Sequence, residues 1–141
     1  MEDSVKMNIE LTDIEFRRLL DMAYIGNWIL NSTRGADRFA DYDYVESLLF
    51  SHCPSVDMST LMESVEGIAR PSTAFENGGI HEAIADYEDS VFFEILAEEL
   101  ARRDMDFEPI SQDNYNELTT RIDEYIEEFE QNGIDNISLD K

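Results

Sequence analysis

The stretch that most constrains the fold is residues 19–30, LLDMAYIGNWIL, which is apolar nearly all the way round a helix. At 100° per residue one arc holds Phe16, Leu19, Leu20, Ala23, Asn27 and Leu30. A second stripe, on roughly the opposite side, holds Ile14, Met22, Ile25 and Ile29. A helix with no polar face belongs in the middle of a domain, so we expect the rest of the chain to pack on it.

The chain is long enough for one domain with a proper core, and we expect a single helical domain over residues 1–141. Hydrophobic residues make up 43% of it, which excludes a disordered acidic tail. Its 33 acidic and 10 basic residues give a formal charge of −23, of which residues 51–141 carry −18. Such repulsion opposes compaction, so the charge serves a partner, solubility or a halophilic surface rather than stability.

The composition also excludes several classes of protein. No stretch reaches the roughly 18 to 20 uncharged apolar residues that a membrane span needs. The N-terminal residues lack the basic and apolar regions of a signal peptide, which predicts a cytoplasmic location. A single cysteine, Cys53, rules out an internal disulfide and a cysteine-cluster metal site within one chain.

Helix signals recur along the first half of the chain. Thr12 with Glu15 forms a capping box, and the helix that it begins should run to about Thr33. Asp43 with Glu46 repeats the pattern for a second helix that ends at Pro54. Its buried face should hold Val45, Leu48, Leu49, His52 and Cys53. A third helix is expected over residues 57–70, where apolar residues recur at helical spacing.

Residues 71–79, PSTAFENGG, form the clearest loop. A short helix around residues 80–87 and another from Asp86 or Asp89 to Arg103 should follow. Ser111 is expected to cap the last helix, and Gly133 to end it. Nothing alternates convincingly at period two, so the predicted fold class is all-α, a single compact bundle of five to six helices around the hydrophobic first helix.

The last helix carries the sharpest functional signal. Its acidic residues lie within about 100° of one another, opposite an apolar arc, and only Arg121 offsets them. An ordinary solvated face is the simpler interpretation, but such faces usually mix signs at i, i+4. A stripe of carboxylates on a rigid helix can instead imitate nucleic-acid phosphates and bind a basic groove. The candidate partner-binding acids are Asp113, Glu117, Glu124, Glu127 and Glu128.

Two residues of the first helix are further candidates. Asn27 lies in the apolar arc, where it either orients a partner group or, more often, fixes core packing through hydrogen bonds. Trp28 lies at the edge of that arc, where a tryptophan serves either as core or as an interface anchor. We therefore add Trp28 to the candidate partner-binding residues.

Nothing in the sequence indicates catalysis, a cofactor or a metal. His52 and Cys53 are consecutive, and consecutive residues on a helix point about 100° apart, so they do not form a catalytic pair. His81 lacks the Glu-x-x-His spacing of helical di-metal sites. Two carboxylate runs, Asp41-x-Asp43 and Asp104-x-Asp106-x-Glu108, suit a hard cation but lack the glycine and distal glutamate of a calcium loop.

Three motifs give the chain a likeness to other proteins. They are YIGNWILNS at residues 24–32, LARRD at residues 100–104 and EFEQNGI at residues 128–134. In this order, as YxGNWxxNS, LAxRD and EFExxGI, they resemble an uncharacterised family of small acidic helical proteins from bacteria and phages. This chain differs from that pattern between residues 50 and 80, where its segment is shorter. The resemblance implies one compact helical unit and supplies no activity.

These observations favour a non-enzymatic interaction protein whose acidic second half binds a basic, nucleic-acid-binding protein, as anti-restriction and anti-CRISPR nucleic-acid mimics do. Direct nucleic-acid binding is not expected, because basic residues are few and scattered. An alternative is a helical accessory or antitoxin-type protein that binds a partner through an apolar face, its acidity serving solubility. A small metal-dependent enzyme built on the carboxylate runs is the third hypothesis.

Overall fold

The computed structural model describes residues 4–140 and is mostly helical. In these residues four longer helices, one helical turn and a two-stranded hairpin replace the five to six helices predicted. They are α1 (Asp13–Asn31), α2 (Ala40–Phe50), β1 (Met62–Val65), β2 (Ile68–Pro71), the single turn α3 (Thr73–Phe75), α4 (His81–Asp104) and α5 (Tyr115–Asn132). The chain divides into two compact units, Met1–Ile84 (unit 1) and Ala85–Lys141 (unit 2). One domain across residues 1–141 stays a prediction.

The start of α1 is as predicted. The Thr12 hydroxyl accepts a hydrogen bond from the Glu15 amide at 3.1 Å, and the Thr12 amide donates to the Glu15 carboxylate at 2.9 Å. One face of the helix is buried, through Leu20, Tyr24, Asn27 and Asn31. The second apolar stripe is not buried: Ile14, Met22 and Ile29 are 71%, 70% and 60% exposed. The expectation that α1 is covered on all sides is therefore wrong, because its neighbours in unit 1 cover one face.

Helix α2 begins three residues before the predicted cap. Its N-cap is Phe39, whose side chain makes no capping hydrogen bond. Asp43 is inside the helix and receives hydrogen bonds from Asn27 and Arg38 instead. The predicted buried face is also shifted, since Val45 and Leu48 are each 47% exposed. Phe50 and Cys53, which are fully buried, provide the contact with the core.

The prediction of a third helix over residues 57–70 is wrong. Strands β1 and β2 pair antiparallel there, with Val65 opposite Ile68. Glu66 and Gly67 connect them, and both have positive φ, at 53° and 81°. Two consecutive positive φ values are those of a type I′ turn, which matches the twist of hairpin strands. This turn and the β-branched residues beside it outweigh the helical spacing of the apolar residues.

Residues 71–79 are only partly the loop that was predicted. Ser72 caps the turn α3 by accepting a hydrogen bond from the Phe75 amide at 3.2 Å, and its hydroxyl donates to the Thr60 carbonyl at 2.6 Å. Phe75 is 1% exposed. Residues Glu76–Ile80 then connect to α4 through a kink at Gly78 and Gly79, where the backbone is not helical and Gly79 has a φ of 107°. The buried phenyl ring explains why a segment rich in small polar residues is held in place.

The core of unit 1 is aromatic. The Phe75 ring meets the Phe50 and Tyr24 rings edge to face, with centroids 5.0 Å and 5.2 Å apart. Such pairs stabilise a core by roughly 0.5 to 1.5 kcal/mol beyond their buried area. The buried members of this cluster are Leu20, Tyr24, Phe50, Cys53, Phe75 and Ile84.

Unit 2 contains most of α4 and all of α5. Its buried cluster is small, formed by Ala101, Met105 and Leu118. The two helices predicted over residues 80–103 are one, because nothing in the sequence interrupts α4 between His81 and Asp104. Ser111 does not cap α5, which begins at Tyr115 after Asn114. Among residues 4–140 no helix combines the length and apolar character required to cross a bilayer.

Candidate functional site

Helix α5 is amphipathic, as its sequence predicts. Leu118 and Phe129 are buried, and Ile122, Tyr125 and Ile126 are partly buried on the same side. The Phe129 ring packs on Tyr125 within α5 and on Phe93 of α4, with centroid distances of 6.2 Å and 5.4 Å. This packing fixes the direction in which the opposite side of α5 faces.

The five predicted acidic residues are in four different situations. Glu124 and Glu127 are exposed and make no ion pair or side-chain hydrogen bond within the described residues. Glu117 pairs with Arg121 at 3.1 Å, one turn along the helix. Glu128 accepts hydrogen bonds from Asn136 at 2.6 Å and Asn132 at 2.8 Å, which lower the pKa of its carboxyl. Asp113 lies in the turn before α5.

The carboxylates of unit 2 far outnumber its cations. The unit has 18 acidic and four basic residues, a formal charge of −14. Each of its three arginines is already paired within the unit: Arg102 with Glu98, Arg103 with Asp104, and Arg121 with Glu117. The other carboxylates, including Glu124 and Glu127 on α5, have no intramolecular counter-charge among residues 4–140.

Asp104, the last residue of α4, connects that helix to the middle of α5. It accepts a hydrogen bond from the Tyr125 hydroxyl and pairs with Arg103 at 2.9 Å. The Tyr125 hydrogen bond, with Arg103 second, lowers the pKa of Asp104, and Asp104 in turn raises the pKa of Tyr125. Asp104 is therefore not free to act as a metal ligand in the carboxylate run at residues 104–108, because its oxygens are already bound by Tyr125 and Arg103.

A second polar cluster, in unit 1, was not predicted as a site. Asn31 is 1% exposed, and its side-chain nitrogen donates to Oδ1 of the Asn27 side chain at 2.7 Å and to the Phe39 backbone carbonyl at 3.1 Å. The Phe39 amide donates back to the Asn31 side chain at 2.8 Å. Asn27, 8% exposed, donates to Asp43 at 3.0 Å and to Glu46 at 3.2 Å. Two asparagines one turn apart thus join α1 to α2.

The two carboxylates of this cluster differ in their surroundings. Arg38 donates to both oxygens of Asp43, at 2.9 Å and 3.0 Å, and with Asn27 it lowers the pKa of Asp43. Glu46 is half-buried and makes no ion pair among residues 4–140. Burial, with Asp43 and Glu76 nearby, raises the pKa of Glu46 despite the hydrogen bond from Asn27.

A pocket of about 330 Å³ opens beside this cluster, lined by Tyr24, Asn27, Trp28, Ser32, Arg38 and Glu46. Trp28 forms one wall and is 38% exposed. Its ring stacks on Tyr24 at 6.3 Å and meets His81 edge to face at 4.7 Å. The Tyr24 hydroxyl shares a 2.6 Å hydrogen bond with His81, and burial together with Glu76 and Glu46 raises the pKa of Tyr24 to about 12.

The remaining candidates do not converge. His52 is exposed, whereas Cys53 is fully buried, and burial raises the pKa of its thiol above the ordinary value. Within residues 4–140 no three histidine, cysteine, aspartate or glutamate side chains are grouped so that they could hold a metal ion. Asp43, from the other carboxylate run, is bound to Arg38.

Sequence reasoning missed the partners of Asn27, although it placed Asn27 on the buried arc. The available signal was Asn27-x-x-x-Asn31, two amides on one helix face. An i, i+4 amide pair on an otherwise apolar arc requires polar partners across the interface. Those partners, Asp43 and Glu46, had been assigned to a helix cap.

Comparisons of the chain with protein-family models, with curated proteins and with solved structures found no match. Any functional argument therefore rests on the residues themselves.

Proposed function

We propose that this chain is a non-enzymatic interaction protein that binds a basic, nucleic-acid-binding protein through the exposed acidic face of α5. The single observation that carries the proposal is that α5 buries one side and, on the other, exposes carboxylates such as Glu124 and Glu127 that make no ion pair within residues 4–140. Glu124 and Glu127 are the centre of that surface, and Asp123 and Glu130 extend it. Glu117, Glu128 and Asp113 add charge at its borders.

The physical case is one of electrostatic complementarity. A partner that supplies lysine or arginine side chains would give these carboxylates the counter-charges that unit 2 lacks, and it would relieve repulsion among them. A groove that evolved to hold nucleic-acid phosphates presents such cations along a line. A rigid helix whose direction is fixed by buried packing presents its carboxylates along a line as well.

The test compares two variants with the same change in charge. In the first, Asp123→Asn, Glu124→Gln, Glu127→Gln and Glu130→Gln neutralise the α5 surface. In the matched control, Asp57→Asn, Glu10→Gln, Glu66→Gln and Glu82→Gln neutralise four exposed carboxylates of unit 1. None of the eight makes an ion pair or side-chain hydrogen bond within residues 4–140, so both variants should fold.

Each protein is immobilised and used to capture basic proteins from a cell lysate at low and high salt. Wild type and the unit 1 control should retain a nucleic-acid-binding protein that elutes with salt or with added duplex DNA, whereas the α5 variant should lose most of it. Equal loss in both variants would assign the effect to net charge. Retention by the α5 variant would refute binding through this helix.

One observation favours a second candidate, the apolar-face alternative. Ile14, Met22 and Ile29 form an exposed stripe along α1. Exposed apolar side chains grouped on one helix face are typical of surfaces that bind another protein. If the captured partner stays bound at high salt and is released by Met22→Glu, an accessory or antitoxin-type role replaces the mimicry proposal.

A further inference from the structure

The pocket of unit 1 has the features of a binding site and is separate from the α5 surface. At about 330 Å³ it lies at the lower end of the roughly 300 to 1,000 Å³ typical of small-molecule sites. Asn27, which Asn31 holds by a hydrogen bond, and Trp28 are both part of its lining. The lining side chains therefore hold fixed positions.

The hydrogen-bonding groups that line the pocket indicate which kind of ligand would suit it. Its principal donors are already used: Asn27 donates to two carboxylates, and Arg38 donates to both oxygens of Asp43. Two acceptors of the lining have no hydrogen-bond partner among the described residues, the hydroxyl oxygen of Ser32 and one carboxylate oxygen of Glu46. Glu46 receives a single hydrogen bond, from Asn27 to Oε2, and its Oε1 has no partner among the described residues. A ligand that donates hydrogen bonds would satisfy both acceptors.

The charges around the pocket and the ring of Trp28 narrow the choice of ligand further. Asp43, Glu46 and Glu76 are the carboxylates around the pocket, and Arg38 is the cation that acts on Glu46. Arg38 is committed to Asp43, so the carboxylate of Glu46 is not paired. The exposed part of Trp28 supplies a π face of the kind over which ammonium groups and alkyl chains bind.

We propose that this pocket binds a primary ammonium group on an alkyl chain, with the ammonium at Glu46 and Ser32 and the alkyl chain along Trp28. A free small amine and the lysine side chain of a protein share this chemistry. The site lies in unit 1 and does not depend on binding through α5, so either proposal can fail without the other.

Trp28 is the one tryptophan of the chain and lies in the pocket wall, so its fluorescence reports on occupancy. The probes are n-butylammonium, for a free amine, and a lysine blocked at its amino and carboxyl groups, for a protein side chain. n-Butanol and the blocked lysine acetylated on Nζ are their neutral counterparts. We expect the charged probes to change the fluorescence and the neutral ones to have at least about tenfold weaker effects, since a charge-assisted hydrogen bond is lost.

The decisive variant is Glu46→Gln, which keeps the acceptor for Asn27 and removes the charge. It should weaken the charged probes about tenfold or more, whereas the matched control Glu10→Gln should leave their affinity within twofold of wild type. Tighter binding of the blocked lysine would assign the site to a protein partner, and tighter binding of n-butylammonium to a free amine.

Three outcomes would overturn the proposal. They are no response to either charged probe, an equal response to the neutral counterparts, or full affinity in a folded Glu46→Gln protein. If circular dichroism shows that the Glu46→Gln protein does not fold, the comparison of charged with neutral probes on wild type decides the question alone.

Discussion

Units 1 and 2 are both mostly helical and both acidic, yet they use their polar residues in different ways. Unit 1 carries −9 over 84 residues, and each of its five arginines is paired with a carboxylate. It also buries two asparagines in a hydrogen-bonded cluster. Unit 2 carries −14 over 57 residues, has a core of three buried residues in its main cluster, and exposes most of its carboxylates. Polar groups therefore specify packing in unit 1 and remain available to a partner in unit 2.

The largest effect is expected from a matched pair of core truncations, which tests the comparison of the two units. Leu20→Ala in unit 1 and Leu118→Ala in unit 2 remove the same atoms from sites that are 0% and 5% exposed. Each should lower the free energy of unfolding by about 2 to 5 kcal/mol, with Leu20 at the upper end because its surroundings are larger and aromatic. Urea unfolding followed by Trp28 fluorescence for unit 1, and by circular dichroism for the whole chain, measures both.

A Leu20→Ala protein with the wild-type urea midpoint would show that the aromatic cluster is not the stabilising core of unit 1. A greater loss from Leu118→Ala than from Leu20→Ala would reverse the ranking of the two cores.

An intermediate effect is expected from the buried amides. Asn31→Leu leaves the Phe39 backbone amide and the side-chain oxygen of Asn27 without their partner. The free energy of unfolding should fall by about 2 to 3 kcal/mol. In unit 2 the matched change Asn132→Leu removes one hydrogen bond to Glu128 at a partly exposed site, and about 0.5 kcal/mol is expected. Urea midpoints give both values. Equal losses would mean that polar groups play the same part in both units.

The smallest effect concerns two carboxylates of unit 1 with opposite pKa shifts. The pKa of Asp43 is lowered, so its ionised form stabilises the fold above its unfolded pKa, and this contribution is lost as pH falls through the folded pKa. The pKa of Glu46 is raised, so its contribution is present at low pH and is lost as pH rises through the folded pKa. At neutral pH Asp43→Asn should cost about 1 kcal/mol, whereas Glu46→Gln should cost nothing or stabilise slightly.

Urea midpoints measured by Trp28 fluorescence from neutral to acidic pH test this pair. Both differences from wild type should shrink as the pH falls, because wild type then protonates the same groups. A destabilised Glu46→Gln protein at neutral pH would mean that the Glu46 charge supports the fold.

The sequence predicted features whose cause is local and missed those whose cause is distant. The capping box at Thr12 and the amphipathic pattern of α5 depend on residues within a few positions of each other, and both are present. The hairpin is a local feature that was also missed. The helical spacing of the apolar residues over 57–70 was given more weight than the pair Glu66-Gly67, which adopts the positive φ values of a tight turn. The cap assigned to Asp43 failed because Asn27, 16 residues earlier, binds that carboxylate.

The candidate sites follow the same division. The α5 acids could be placed on one face from periodicity alone, but their availability depends on which of them find partners, and Glu128 finds Asn136, eight residues later. The pocket of unit 1 could not be predicted, since Glu46 reaches it from α2 and Trp28 from α1. Trp28 was singled out from its position at the edge of an arc. The structure packs its ring on Tyr24 and leaves the side chain 38% exposed, and its role in binding a partner stays a prediction.

The side chain of Asn31 behaves as a surrogate peptide group. It donates to the backbone carbonyl of Phe39 and accepts from the backbone amide of Phe39, as a neighbouring strand would. These two hydrogen bonds join the end of α1 to the N-cap of α2 across the loop. The last residue of α1 therefore holds the N-cap of α2 in place, and the loop adds turn hydrogen bonds of its own, from the Arg34 amide to the Asn31 backbone carbonyl at 3.0 Å and from the Gly35 amide to the Asp37 carboxylate at 3.1 Å. Thr33 and Ala36, which are exposed and make no side-chain hydrogen bond among the described residues, are therefore the loop positions that should tolerate substitution while α1 and α2 keep their contact, provided that Asn31 is kept.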